Sequence, residues 1–272
     1  MKLIYFKSDI GNFGDDLNPW LWEKLLGDFT QYKDIDFVGV GSILDERIKS
    51  EKTKVVFGSG IRDFDLNIED FAPIDIRFVR GPISSKITGA KYISDSAYAL
   101  RLLPKQDYIK KYKISFIPYF RHVNHFNWKM FEKITGIHVI LPTMPIDKVI
   151  EEIQSSKNIL SAAMHGCILA DAYRIPWMRV KFSKHGSESS LTSEIKWDDW
   201  LKSVKIKNNQ SHTFGFSLNS KLSIIKQIII TLLLRFKFKQ NKFTLSRDDV
   251  INEIDKKLAK ELVDFKDNYL NV

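Results

Sequence analysis

The chain has 272 residues, 44% of them apolar, and a net charge of +9. That length exceeds a typical single domain, so two domains are expected. The one cysteine, Cys167, excludes an internal disulfide framework or a cysteine zinc site and fits a reducing compartment, and no run reaches the ~20 apolar residues a membrane span needs.

The opening apolar run, Lys2–Phe6, is too short for a secretory signal and reads as a strand. A polar loop with Gly11 and Gly14 follows, then Asp15, Asp16, Asn18 and Pro19. Asn18 before Pro19 suits an N-cap and a first helical residue, which predicts a helix from Pro19 to about Leu26. The loop lacks the dinucleotide glycine fingerprint and a Walker lysine. Asp15 and Asp16 read either as acids favoured by the helix dipole or as site carboxylates.

Further strands are predicted at Asp36–Val40, Lys54–Phe57 and Ile74–Val79. Their near-continuous Val, Ile and Phe content suits a parallel sheet covered on both faces. Arg80 and Asp95 both stand at strand ends. Leu103–Asp107 reads as a linker. A second unit of the same kind then begins, with strands near Lys113–Pro118, Ile137–Leu141, Asn158–Ala162 and Trp177–Val180. Its helices fall near Phe126–Ile134, Ile146–Gln154 and Gly166–Tyr173. Arg121, His122 and His125 follow its first strand; the two histidines could contact substrate or shape a loop, and no third metal ligand is near. His138 is expected in the core.

The most informative stretch runs from Ser161 to Val180. It places His165, with the amides of Gly166 and Cys167, at a helix N-terminus outside the carboxyl end of a strand. Such corners attract anions through unpaired N–H groups, and open α/β sheets bind ligands at that edge. His165 there could bind an anion, move a proton, or simply cap and pack. Trp197 and Trp200 are expected to pack a helix onto its sheet rather than to stack a sugar.

Beyond Leu201 the chain carries twelve Lys and two Arg against seven acids, and Lys202–Arg247 contains no acid. Leu222–Lys239 mixes strong apolarity with cations. It reads either as an interfacial anchor drawn to anionic lipid or as a core helix crossing back to brace the first domain, and the brace is preferred. Ser246 would cap a last helix, charged on most faces, that runs to about Phe265. His212 is placed in a polar connector. Charge alone would admit nucleic acid, but no recognisable module is present and none is expected to bind.

Five segments, in this order, resemble the polysaccharide pyruvyl transferases, above all the ketal-pyruvate transferases of bacterial exopolysaccharide synthesis. They are Asn12-x-Gly14-Asp15-Asp16-Leu17-Asn18-Pro19-Trp20, Phe57-Gly58-Ser59-Gly60, Val79-Arg80-Gly81-Pro82, Ala163-Met164-His165-Gly166-Cys167 through Asp171, and Lys196-Trp197-Asp198-Asp199-Trp200. The resemblance covers roughly residues 1 to 205. It implies two Rossmann-like domains facing a cleft, a glycosyltransferase-B-like α/β architecture. Residues 1–104 and 105–210 would form the two domains and 211–272 a basic helical tail.

It also implies transfer of the pyruvate group of phosphoenolpyruvate onto a sugar of a polysaccharide repeat unit as a cyclic ketal. Phosphate is released, with no cofactor and no metal. The acceptor would be a lipid-linked oligosaccharide, met in the cytoplasm or at the inner membrane face. By this resemblance His165, Arg80 and Asp15 are catalytic. Arg80, His165, Gly166, Lys184 and His185 hold the donor, and Asn12, Gly14, Asp15, Asp95, His122 and His125 face the acceptor. Where the family's Ser-x-Arg-x-His motif has arginine this chain has Ala163, so another cation must compensate. Arg62, Arg179, Lys181, Lys184 and His185 are candidates, the Lys184-His185 loop the preferred one. The alternatives are a nucleotide-sugar glycosyltransferase of similar architecture and a non-catalytic scaffold of polysaccharide assembly.

Overall fold

The computed structural model describes the chain except residues 30, 63–64, 183–189, 208–210, 215–217, 219–221, 239–241 and 271–272. It is an α/β structure built on two parallel sheets. The first sheet uses β1 (Lys2–Ile4), β2 (Ile35–Val38), β4 (Thr53–Phe57) and β6 (Ile74–Phe78) in the order β1-β2-β4-β6. The short strands β3 (Ser42–Leu44) and β5 (Gly60–Ile61) pair beside it. The second sheet has the order β11-β10-β9-β7-β8: β7 (Ser115–Ile117), β8 (His138–Val139), β9 (Ile159–Ser161), β10 (Trp177–Phe182) and β11 (Ser211–Phe214). All described pairings between these strands are parallel.

The helices are α1 (Phe13–Leu26), α2 (Pro82–Thr88), α3 (Trp128–Thr135), α4 (Ile146–Gln154), α5 (Met164–Ala172), α6 (Ser190–Ser203), α7 (Ile224–Lys237) and α8 (Asp248–Tyr269).

Alternation along the strands distributes the core. In the first sheet Phe37 and Val55 face a large cluster with Leu17, Leu21 and Trp22 of α1 and Phe265 of α8. Their neighbours Val38 and Val56 face a separate cluster under β3 and β5. In the second sheet Ile117 and Ile159 point into the same large cluster, toward α4 and α5. Phe116 and Leu160 point the other way, onto Phe131 of α3 and Leu234 of α7. One apolar core therefore joins the inner faces of both sheets.

Polar clamps reinforce that joint. The buried Asp171 carboxylate accepts from Tyr98 Oη (2.7 Å), Trp177 Nε1 (2.9 Å), and Ser246 N and Oγ (2.9 and 2.5 Å). Arg101 binds Asp255 of α8 and the carbonyl of Ala172. Trp200 is fully buried against Trp177, 5.1 Å between rings, the packing role its motif suggested.

The C-terminal third departs from its sequence reading. Ser211–Phe214, with His212, is an edge strand beside β10, because parallel pairing satisfies backbone groups that a connector would leave to water. The brace to the first sheet is α8, which buries Ile251, Ile254, Leu258 and Phe265 along one face. The apolar α7 stays on the second sheet. Ser246 does not cap α8, since its hydroxyl is taken by Asp171. His138 lies at the end of its sheet, stacked on Tyr112 and bonded to Glu132 and Glu152.

Candidate active site

Two strand–loop–helix corners meet between the sheets. The first runs from β1 into α1. This helix starts at Phe13, six residues before the expected Pro19, with Asn12 as its N-cap. Proline inside a helix lacks the N–H that would bond four residues back. Here Asn18 Nδ2 donates to the carbonyl of Asp15 (3.0 Å), the acceptor that Pro19 leaves unserved. The same amide group bonds both backbone groups of Val40, at 2.8 and 2.9 Å, tying α1 to the loop after β2. Asn12 N donates to Asp16 Oδ2 (2.8 Å), and Asn12 Nδ2 donates to the Asp15 carboxylate. Asp15 is left facing inward. Burial raises its carboxyl to about 7, against the opposing effects of Lys196 and the Asn12 hydrogen bond.

The second corner runs from β9 into α5. Ser161 Oγ accepts from Ala163 N (3.1 Å) and donates to Ala163 O (2.7 Å), closing a tight turn. His165 is the second residue of α5. Gly166 does not offer a free amide: its N–H donates to Ala163 O (3.1 Å), and a Cβ there would overlap Ser161. It is a close-approach glycine, not an anion contact. Gly14 has the same function opposite, since a Cβ on it would overlap the imidazole of His165. Gly14 thus lets the two helix starts meet, while Gly166 lets α5 sit close on the turn at Ser161.

Behind the imidazole lies Asp95. One carboxylate oxygen accepts from Ala97 N (3.0 Å) at the start of the 3-10 turn Ser96–Leu102. The other lies 3.9 Å from His165 Nε2, too far for a hydrogen bond. Burial lifts Asp95 to about 6, although Arg80 pulls it down. Burial, then Arg80 and Lys196, push His165 down to about 3. The imidazole is therefore neutral near pH 7. Asp95 is fully enclosed and reaches His165, not the open space where an acceptor would sit.

The two corners form part of the wall of a cleft of about 190 Å³. Asn12, Asp15, Ala163 and His165 line it. Among the described residues, so do five cations, Arg47, Arg62, Arg121, Arg179 and Lys196, against Asp15 as the one acidic lining residue. Arg179 is held by Glu194 at 2.6 and 3.0 Å and lies 4.3 Å over the Trp197 ring. Arg47 is held by Asp45. Arg62 and Arg179 had been candidates for replacing the missing family arginine, and both are here. Lys181 pairs with Glu194 at 2.9 Å and is outside the lining. Lys184 and His185 lie outside the described residues.

Several expected positions move. Arg80 is fully buried behind the wall, bonded to Asp199 (3.2 Å) and to Ser42 Oγ (2.5 Å). Its charge acts on the cleft at a distance, through Ser42, Asp95 and His165. Asp199 also accepts from Ile83 N, Ser84 N and Ser84 Oγ, so the Arg80-Gly81-Pro82 and Trp197–Trp200 motifs form one clamp. His122 is buried against Tyr119 and Phe182, and His125 Nδ1 bonds the Leu218 carbonyl (2.9 Å). Neither lines the cleft, because the turn Phe120–His125 directs Arg121 into it instead. No group of three or more His, Cys, Asp or Glu side chains among the described residues could hold a metal ion. Ser42, Arg47, Tyr119, Arg121 and Lys196 were not assigned from sequence. Of these, Arg121 had been noted with His122 and His125 after the first strand of the second unit, and Lys196 opens one of the five motif segments.

No family model matches the chain. It is 37% identical over 213 residues to the succinoglycan biosynthesis protein ExoV of Rhizobium meliloti (strain 1021). This likeness supports the resemblance to the polysaccharide pyruvyl transferases that the motifs carry. The match covers 76% of this chain and 66% of ExoV, just under two thirds of that relative's length.

Proposed function

We propose that the protein transfers the pyruvate group of phosphoenolpyruvate onto a sugar of a polysaccharide repeat unit as a cyclic ketal, releasing phosphate. ExoV is by name a protein of succinoglycan biosynthesis, which supports an exopolysaccharide role. The observation that carries the reading is the cation-rich cleft around two proton-handling groups held near neutrality, Asp15 and His165. A donor with a phosphate and a carboxylate needs clustered cations, and guanidinium groups suit both. Arg62, Arg121, Arg179 and Lys196 are assigned to it. They replace the arginine that Ala163 lacks.

In the reaction the methylene carbon of the donor gains a proton and becomes the ketal methyl group. One sugar hydroxyl oxygen attacks the adjacent carbon and a second one replaces phosphate. One hydroxyl proton balances the new methyl hydrogen and the other leaves on phosphate. Asp15, titrating near 7, can give and take a proton at working pH. His165 is kept neutral partly by the charges of Arg80 and Lys196. A bound polyanion offsets those charges and lifts the imidazole toward its ordinary value, so it becomes a base once the donor is in place. Asp95, behind it, orients the ring as the imidazolium forms.

In the same reading, residues 1–104 and 105–210 are the two Rossmann-like halves of a glycosyltransferase-B-like enzyme. The acceptor is a lipid-linked oligosaccharide on the cytoplasmic side. Calorimetry and thermal shift with phosphoenolpyruvate, pyruvate, phosphate, UDP and GDP test the donor assignment. A ligand that prefers the native state raises Tm. Selective stabilisation by phosphoenolpyruvate, weakened in Arg62→Ala and Lys196→Ala, supports pyruvyl transfer. Stabilisation by a nucleotide instead overturns it in favour of a glycosyltransferase.

A further inference from the structure

We infer that α7 lies flat on an anionic lipid bilayer and holds the enzyme there as a peripheral protein. The helix has two opposed apolar stripes. Gln227, Ile230, Thr231 and Leu234 face the second sheet and are buried, and Phe238 continues the line. Ile225, Ile229, Leu232 and Phe236 recur at i, i+4, i+7 and i+11, which puts them on one line on the opposite side. All four are exposed, Ile225 at 67% and Phe236 at 66%. Ile224, Ile228 and Leu233, also exposed, widen the stripe. An apolar patch this continuous marks a partner surface, unlike scattered exposed leucines.

The charges name the partner. At about 100° per residue Lys226 and Lys237 fall on one flank of the outward stripe and Arg235 on the other. Long basic side chains on both borders of an apolar stripe can reach headgroup phosphates while the stripe enters the acyl boundary. A second copy of the chain would meet this face with the same cations, and Lys202–Arg247 supplies no carboxylate to oppose them. An anionic surface supplies that countercharge. The 14-residue helix is about 21 Å long, short of the ~30 Å hydrocarbon core, so it suits lying in the interface. No helix among the described residues is long and apolar enough to cross a membrane.

Its inner face is tied toward the cleft. Gln227 Oε1 accepts from Asn127 N (2.7 Å), and Asn127 caps α3 directly after the turn that presents Arg121. A lipid-carried acceptor would therefore meet a protein already on its surface. The inference needs no assumption about the donor.

Flotation of the full chain with vesicles tests it, comparing pure phosphatidylcholine with mixtures holding about 30% phosphatidylglycerol. The expected result is binding that requires phosphatidylglycerol and weakens as salt rises. Ile225→Ser/Ile229→Ser/Phe236→Ser and, separately, Lys226→Glu/Arg235→Glu/Lys237→Glu should each lower the partition coefficient by about tenfold or more. Both variants should keep the wild-type Tm and the wild-type response to phosphoenolpyruvate, because these side chains point away from the core. Three results would overturn the inference. They are no flotation of the wild type, equal flotation of the apolar variant, or a wild-type dimer in light scattering that the apolar variant dissolves. A failed donor titration with intact flotation would sink the pyruvyl reading and leave this one standing.

Discussion

The two helix starts that meet in the cleft share a strand–loop–helix plan but present groups of opposite kind, an acid and a base. The α1 corner is polar: Asn12, Asp15 and Asp16 bond one another and present a carboxyl group. The α5 corner has a bare cap, Ala163, and presents an imidazole. Burial pushes each group toward its uncharged form, Asp15 up to about 7 and His165 down to about 3. Both groups are thus pushed toward their uncharged forms in a wall that carries, among the described residues, five cations. In the proposed reaction, the same desolvation that disfavours charge on these two groups leaves the surrounding positive field to a polyanionic donor.

The strongest way to break this comparison is to remove one corner's group. His165→Asn should lower phosphate release from phosphoenolpyruvate by ~10²–10⁴-fold. Asp15→Asn should approach the same range; a variant at full activity would remove that residue from proton transfer. The assay is steady-state phosphate release with an accepted sugar.

Next in size is the clamp that holds the wall. Asp199→Ala strips Arg80 of its buried partner and α2 of its cap, which should destabilise the fold by about 3–5 kcal/mol in urea titration. Loss under about 1 kcal/mol would mean that water or another group already serves Arg80.

Gly14→Ala sharpens the contact between the corners. In an ordinary helix the change to Ala stabilises by about 1 kcal/mol. Here the new Cβ meets His165, so a net loss of ~1–3 kcal/mol and reduced turnover are expected. A more stable variant would show that the two corners are not in contact.

The fold's stability should also depend on pH. A carboxyl whose folded value is raised binds more protons folded than unfolded between its two values. Stability therefore falls as pH rises from about 4 through about 7 for Asp15. Asp95, raised to about 6, acts with the same sign. His165, lowered to about 3, acts oppositely: stability falls as pH drops from about 6.5 toward 3. Asp15→Asn should match wild type near pH 4 and gain on it up to pH 8 in thermal melts. An unchanged difference across that range would contradict the raised carboxyl.

Much of the frame was legible in the chain. Phe37, Val55, Val56, Phe116 and Leu160 lie in the strands their apolar runs implied, because buried parallel strands need such runs on both faces. His165 at the start of α5 was legible for the same reason, since a strand, a small-residue turn and a helix follow one another locally. The start of α1 was not. Pro19 reads as a first helical residue unless one knows that the Asn18 side chain takes over the bond it cannot make. His122 and Arg121 are adjacent in sequence, and only the turn's packing against Phe182 decides which one enters the cleft.

The sequence by itself determined the main parallel strands and the residue types at the two corners, because these follow from local periodicity and turn chemistry. Which charges face the cleft was decided only by the tertiary structure. Arg80 is drawn inward by Asp199, 119 residues away. Arg47, Arg62, Arg121, Arg179 and Lys196 converge from both halves. Asp15 and His165 acquire their shifted protonation from burial that no single segment possesses. Long-range packing sets the dielectric and the charge partners of a side chain, and those are what turn a motif into a site.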